Sequence, residues 1–178
     1  MMLITALMVY AFIEPYRIEV KVTQIVASDI PEAFSQFRIA FIADIHHGLF
    51  FSRERVKNIV GMINELNPHL VVLGGDYVYG HKKYLAPCFE ELTKLKAPYG
   101  IFAVLGNHDH WENESAQFSV EVINAHKITL IDNKALWIYK DGTRIKLGGV
   151  GTIFPPIRFC APPQINLIIL NKSLYPSH

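Results

Sequence analysis

Apolar residues fall along this chain in two rhythms. From Tyr16 to Val22 they alternate, with Tyr16, Ile18, Val20 and Val22 apolar and Arg17, Glu19 and Lys21 polar. A period of two predicts a strand with one wet face. Beyond a loop holding Pro31 the pattern changes to buried runs. Arg38–Ala43, Leu70–Leu73 and Ile101–Leu105 are uninterrupted or nearly so, and each ends in polar residues. Between the first two, Val56, Ile59, Val60, Ile63 and Leu66 recur at helical spacing. Ser52 can cap that helix and Asn67-Pro68 stops it. A second helix opens at Pro87, carries Phe89, Leu92 and Leu95, and ends at Pro98; a third lies near Ser115–His126.

Further on, Ile128–Ile131 is a short apolar segment, and Leu167–Leu170 can start another strand. Ala135–Tyr139 and Arg144–Val150 flank Lys140-Asp141-Gly142-Thr143. Asp-Gly between two strand-like runs predicts a hairpin. Strands that read as continuous apolar runs and alternate with helices predict an α/β fold, its sheet covered on both faces and built from βαβ units.

Composition narrows the classes. The chain has 178 residues, 51% of them hydrophobic, which suits one domain with its own core and excludes a disordered chain. Lys and Arg number 17 against 16 Asp and Glu, and no basic block stands out, so nucleic acid is not an expected partner. Cys88 and Cys160 are too few for a disulfide framework.

The opening run, Met1–Ile13, carries no charge. As a helix it would span about 20 Å, short of a hydrocarbon core of about 30 Å. It lacks the basic start and cleavage site of a signal peptide. Two readings stand, a core segment or a membrane anchor. The break at Glu14-Pro15 and the charged stretch behind it favour the anchor. The expected organisation is an anchor over residues 1–14 and one domain over 15–178, with the protein associated with a membrane.

The chemistry lies where the buried runs end. Asp44-Ile45-His46, Gly75-Asp76 and Gly106-Asn107-His108-Asp109 each follow a predicted strand. In an open α/β sheet these C-terminal strand ends share one rim, where ligands bind. A single Asp there is usually a turn or helix cap, and a single His is usually surface. Three such clusters in order converge on one site. Carboxylate, amide and imidazole donors without thiolates suit Mn, Fe, Zn or Mg. A carboxylate such as Asp76 can bridge two cations, which together clamp a phosphoryl group. An alternative is an α/β module that binds a cation or phosphate without turnover. A receiver-type phosphoacceptor domain fits less well, because it has no use for Asn-His-Asp after the third strand.

In order and spacing, DxH…GD…GNHD resembles the calcineurin-like metallophosphoesterases. "FIEPYRIEV", "FRIAFIADIHHG" and "VLGGDYVYG" resemble more narrowly the membrane-associated YkuE/YaeI-type bacterial phosphohydrolases. The resemblance implies a two-sheet sandwich flanked by helices in four αββα layers. It implies a dinuclear metal centre that hydrolyses phosphomonoesters, phosphodiesters or pyrophosphates, lipid-linked substrates included. Asp44 and His46 resemble ligands of a first metal, Asp76 the bridging carboxylate and Asn107 a ligand of the second metal. His108 resembles the imidazole that meets the phosphoryl oxygen, and Asp109 its orienting partner.

The resemblance thins toward the end of the chain. The family's later His cluster and Gly-His-x-His motif have no match here, since the one Gly-His pair, Gly80-His81, is followed by Lys82-Lys83. His178 is the one candidate for the first of those imidazoles. The expectation is a partial domain with an incomplete second sheet and weak or absent activity. His47, His110 and Trp111 carry no ligand role in this reading. His69, His81 and His126 read as solvated, and Tyr77 and Tyr79 as packing residues.

Overall fold

The computed structural model describes residues 18–49, 51–110, 115–150 and 164–173. The proposed anchor, Trp111 and His178 lie outside the described residues. Among the described residues, no helix is long and apolar enough to cross a membrane.

The described residues form eight strands, β1 Glu19–Ala27, β2 Phe37–Ile42, β3 Leu70–Leu73, β4 Ile101–Ala103, β5 Thr129–Leu130, β6 Lys134–Lys140, β7 Thr143–Gly149 and β8 Gln164–Lys172. Three α-helices lie between them, α1 Arg53–Glu65, α2 Leu85–Leu92 and α3 Ser115–Ala125. Six strands make one sheet in the order β1-β8-β2-β3-β4-β5. β2 to β5 run parallel, as βαβ crossovers require, and β8 joins β2 antiparallel. The fold is thus α/β with a mainly parallel sheet.

The continuous apolar runs have a specific cause. Successive strand residues face opposite sides, and both sides are covered. Ala40, Ile42, Val71, Leu73 and Ala103 pack with Val56, Ile59 and Ile63 of α1, with Phe89 and Leu92 of α2, and with Val122 and Ile123 of α3. Phe37, Leu70 and Phe102 pack instead with Ile131 and Ile138, alongside Leu136, Ile145 and Leu147 of the β6-β7 hairpin. Among the described residues the second layer is therefore the β6-β7 hairpin. Asp141 and Gly142 turn it with φ of 46° and 74°, the left-handed pair that suits a two-residue hairpin.

Ser52 caps α1, its side chain accepting the Arg55 N–H at 3.4 Å. Pro87 sits inside the first turn of α2, which starts at Leu85. Proline is tolerated there because the first N–H groups have no helical partner.

Two local expectations change. β1 does not have one dry face: from Glu19 to Val26 every side chain is exposed, and among the described residues the strand pairs with β8 alone. His69 is not a solvated residue. Its ring stacks on Phe37 with centroids 4.9 Å apart, and its Nδ1 accepts the Arg38 N–H at 2.9 Å.

Candidate metal centre

The loops after β2 and β3 continue the parallel pairing beyond the strands. Asp44 donates its N–H to the Gly75 carbonyl at 3.1 Å, His46 to Asp76 at 3.0 Å and His47 to Tyr77 at 2.9 Å. The rim is therefore an extension of the sheet. Its backbone is strained at the residues that matter. Asp44, His46 and Asp76 all occupy the left-handed region, with φ of 59°, 49° and 55°. Each such non-glycine residue costs on the order of 1–3 kcal/mol, and this cost clusters at functional sites.

The β4 loop closes the rim through two glycines. A Cβ on Gly75 would lie 2.2 Å from the Gly106 nitrogen, and one on Gly106 would lie 2.2 Å from Asp76 Oδ1. Only hydrogen at both positions lets the loops touch. Asp109 then holds them together. Its buried carboxylate accepts N–H bonds from Asp76 at 2.9 Å, Gly106 at 2.8 Å and Tyr77 at 3.2 Å. Burial pushes the Asp109 carboxyl up to about 6, against the pull of those donors. In return Asp76 Oδ1 accepts the His108 N–H at 2.9 Å.

Side chains from all three loops converge. One ligand atom each of His46, Asp76 and His108 lies within 4.8 Å of the others. That is close to the spread a single cation with bonds of about 2.0–2.2 Å would draw together. The imidazoles of His46 and His108 meet edge to face, 4.7 Å between centroids. Asp44 Oδ1 lies 3.7 Å from His46 Nε2. Burial lowers the His108 pKa, His46 lowers it further, and Asp76 and Asp44 oppose both. A neutral imidazole is the form that accepts a proton or a metal.

The site faces two cavities. Asp44, Asp76 and Asn107 line one of about 320 Å³ that runs beneath the sheet toward Gly149 and Val150. His46 and His108 line another of about 300 Å³, walled by Leu49, Phe51 and Tyr79. Tyr79, expected as a packing residue, is half-exposed, with its ring beside both imidazoles. Tyr77 does pack: fully buried, it donates its hydroxyl to the Val104 carbonyl at 2.7 Å. His47 is buried, with Nδ1 2.8 Å from the Phe51 carbonyl, which leaves His46 as the imidazole of the pair in the cluster. His110 is exposed. Leu49 and Phe51 carry no sequence signal, since their role comes only from the fold-back of the loop.

Residues 37–162 match the calcineurin-like phosphoesterase family. The chain belongs to that family. Among curated proteins, it is 36% identical over 104 residues to an uncharacterized metallophosphoesterase, YkuE, of Bacillus subtilis, covering 56% of this chain and 35% of that one. It is 30% identical over 129 residues to the phosphodiesterase YaeI of Escherichia coli, covering 71% of this chain and 47% of that one. A transmembrane protein with a metallophosphoesterase domain from Danio rerio is 34% identical over 88 residues, 49% of this chain and 20% of that one. The chain thus spans less than half the length of each of these relatives.

The donors of this calcineurin-like phosphoesterase domain fit a hard or borderline divalent cation. Asn107 is buried, with its amide 3.2 Å from Asp76 Oδ2 and 3.3 Å from the His108 nitrogen. Its N–H donates to Asp76 Oδ2 and its oxygen accepts the His108 N–H, so the amide ties the two loops at the rim. His46 Nδ1 is buried and has no hydrogen-bond partner among the described residues. Among the described residues thiolate plays no part: Cys88 is fully buried in α2, and burial pushes its thiol far up.

Proposed function

We propose that this domain binds two divalent cations and hydrolyses phosphoester bonds. The observation that carries the reading is the meeting of His46, Asp76 and His108 within 4.8 Å at the ends of three parallel strands. Asp44, His46, Asp76 and Asn107 are the residues that would hold the cations, with Asp76 lining the cavity of Asp44 and Asn107 and reaching the cluster of His46 and His108. Bound there, cations of the Mn, Fe, Zn or Mg class would supply charge for a phosphoryl group and lower the pKa of its attacking water.

The chain's own groups do the rest. His108, kept neutral by burial and by His46, accepts or delivers a proton at the phosphoryl or leaving-group oxygen. Asp109 positions His108 through the backbone, because its carboxylate holds the Gly106, Asp76 and Tyr77 N–H groups that shape both loops. Asp44 stands beside His46 and fixes the negative charge of the rim. Side chains in one rigid cluster also fix orientation, which lowers the entropic part of the barrier.

The substrate in this reading is a phosphomonoester, phosphodiester or pyrophosphate, and a phosphodiester accords with the name of the YaeI relative. Membrane association through residues 1–14 would favour a lipid-linked substrate, in accord with the transmembrane relative. Few side chains serve two cations among the described residues, so weak metal binding and slow turnover are expected of the chain alone. The test is Mn²⁺-dependent hydrolysis of bis-p-nitrophenyl phosphate by the chain and its Asp44→Ala variant. Turnover lost in the variant supports the reading. Tight Mn²⁺ binding with no turnover on any phosphoester would identify a binding module instead.

A further inference from the structure

The aromatic cavity beside His46 and His108 has walls that the cation reading does not use. Its walls are Leu49, Phe51 and Tyr79, and its floor is the two imidazoles. Leu49 is 80% exposed and Tyr79 50% exposed, so two apolar side chains stand open to solvent around one hollow. Single exposed apolar residues are ordinary, but apolar residues sharing a concave wall mark a binding surface.

The walls are held in place by polar contacts beneath them. Phe51 turns its carbonyl inward, where it accepts the Gly48 N–H at 3.0 Å and lies 2.8 Å from His47 Nδ1. The buried Arg55 guanidinium lies 4.2 Å from the centroid of the Phe51 ring and donates to the Ile45 carbonyl at 2.8 Å. The opposite wall is tied to the first. His47 and Val78 form a parallel bridge, and a Cβ on Gly48 would lie 2.8 Å from the Tyr79 carbonyl oxygen. A side chain at position 48 would push the walls apart. A cavity already formed loses little freedom on binding, which favours affinity.

From this arrangement we infer that Leu49, Phe51 and Tyr79 form the specificity pocket for the organic group of the substrate, and that this group is apolar. The inference rests on the phosphoester reading above. The geometry follows from shared residues. A phosphoryl group seated at His46, Asp76 and His108 has two ways to direct its substituent. Toward Asp44 and Asn107 it meets charge and amide. Toward Tyr79 it meets hydrocarbon, with no charged side chain lining the wall among the described residues. A hydroxyl-rich substituent such as glycerol would leave its hydroxyls facing Leu49 and Phe51. An aryl or alkyl group would instead stack on Tyr79 and cover Leu49.

The test compares two inert phosphonates on the Mn²⁺-loaded full chain by isothermal titration calorimetry. Phenylphosphonate should bind at least about tenfold more tightly than methylphosphonate, the scale of burying one apolar ring. Leu49→Ser and Tyr79→Ala should each bring that ratio toward one. The ratio removes any general loss of phosphonate binding, and Leu49 is too exposed for its replacement to unfold the domain. A hexylphosphonate arm separates a flat ring from a flexible chain as the favoured occupant, and preference for either over methyl supports the inference. Equal affinities in the parent chain, or a preference untouched by both variants, would overturn the pocket and leave the phosphoester reading intact. Failure of the Mn²⁺-loaded chain to bind any phosphonate would overturn both.

Discussion

Asp76 Oδ1 accepts the backbone N–H of His108 at 2.9 Å, across 32 positions of sequence. The bond is returned through the next residue, since Asp109 Oδ2 accepts the Asp76 N–H at 2.9 Å. Two strand-end loops are thereby clasped in both directions. The acid proposed to touch both cations also sets the height of the imidazole proposed to meet the substrate. Metal affinity and the placement of His108 are coupled through this one side chain.

Asp76→Asn tests the metal role. The amide oxygen can still accept the His108 N–H, so the loop should keep its shape and the melting temperature should change little. The charge between the two sites is lost. Mn²⁺ affinity measured by calorimetry should fall by at least about tenfold, a loss of about 1.4 kcal/mol. Unchanged stoichiometry and affinity would remove Asp76 from the centre.

His108→Ala separates metal binding from chemistry. The backbone bond to Asp76 survives the substitution because it uses the main-chain N–H. Bound Mn²⁺, measured by elemental analysis, should persist, while turnover should fall by roughly 10²-fold, the scale of a general acid–base group. Loss of the metal would make His108 a ligand, which its position within 4.8 Å of His46 and Asp76 also permits.

Asp109→Ala should be the most damaging single change at the rim. It leaves the N–H groups of Gly106, Asp76 and Tyr77 without their acceptor in a buried site. Each unsatisfied buried donor costs about 1–3 kcal/mol. A urea midpoint within error of the parent chain would show that the carboxylate is not the clasp.

His69 gives the domain an acid-sensitive point. Its folded-state pKa is lowered, first by burial and then by Arg38 and Lys140. The unfolded chain therefore takes up the proton more readily. His69 contributes fully above the unfolded value near 6.5, and its contribution is lost as pH falls through the lower folded value. Protonating Nδ1 also removes the acceptor of the Arg38 N–H. The melting temperature of the parent chain should drop below about pH 6.5 more steeply than that of His69→Gln. Parallel curves would rule out this contribution.

Deleting Met1–Glu14 tests the proposed anchor. The intact chain should sediment with membranes and the deletion should not. An intact chain that stays in the supernatant without detergent would defeat the anchor reading.

Much of the site is local in origin and so was legible in the sequence. A buried strand ends where polar residues begin, and the polar clusters after Ala43, Gly75 and Gly106 mark three such ends. Parallel βαβ geometry then places those ends on one rim, which is why Asp44, His46, Asp76, Asn107, His108 and Asp109 could be chosen together. Ser52, Asn67-Pro68 and Asp141-Gly142 likewise act within a few residues of themselves, and each bounds the element expected of it.

What tertiary structure decided depends on contacts between distant segments. Periodicity shows that both faces of the sheet are covered, but not by what. Helices take one face and the β6-β7 hairpin the other because Leu136, Ile138 and Ile145 meet Phe37, Leu70 and Phe102. No local rule places β8 between β1 and β2, nor leaves both faces of β1 exposed. The left-handed backbone at Asp44, His46 and Asp76 exists because paired loops hold it there. The aromatic pocket exists because Phe51 folds back toward His47 and a glycine at 48 lets Tyr79 approach. Residue types fixed the chemistry on offer, and only packing between loops fixed which side chains share a cavity.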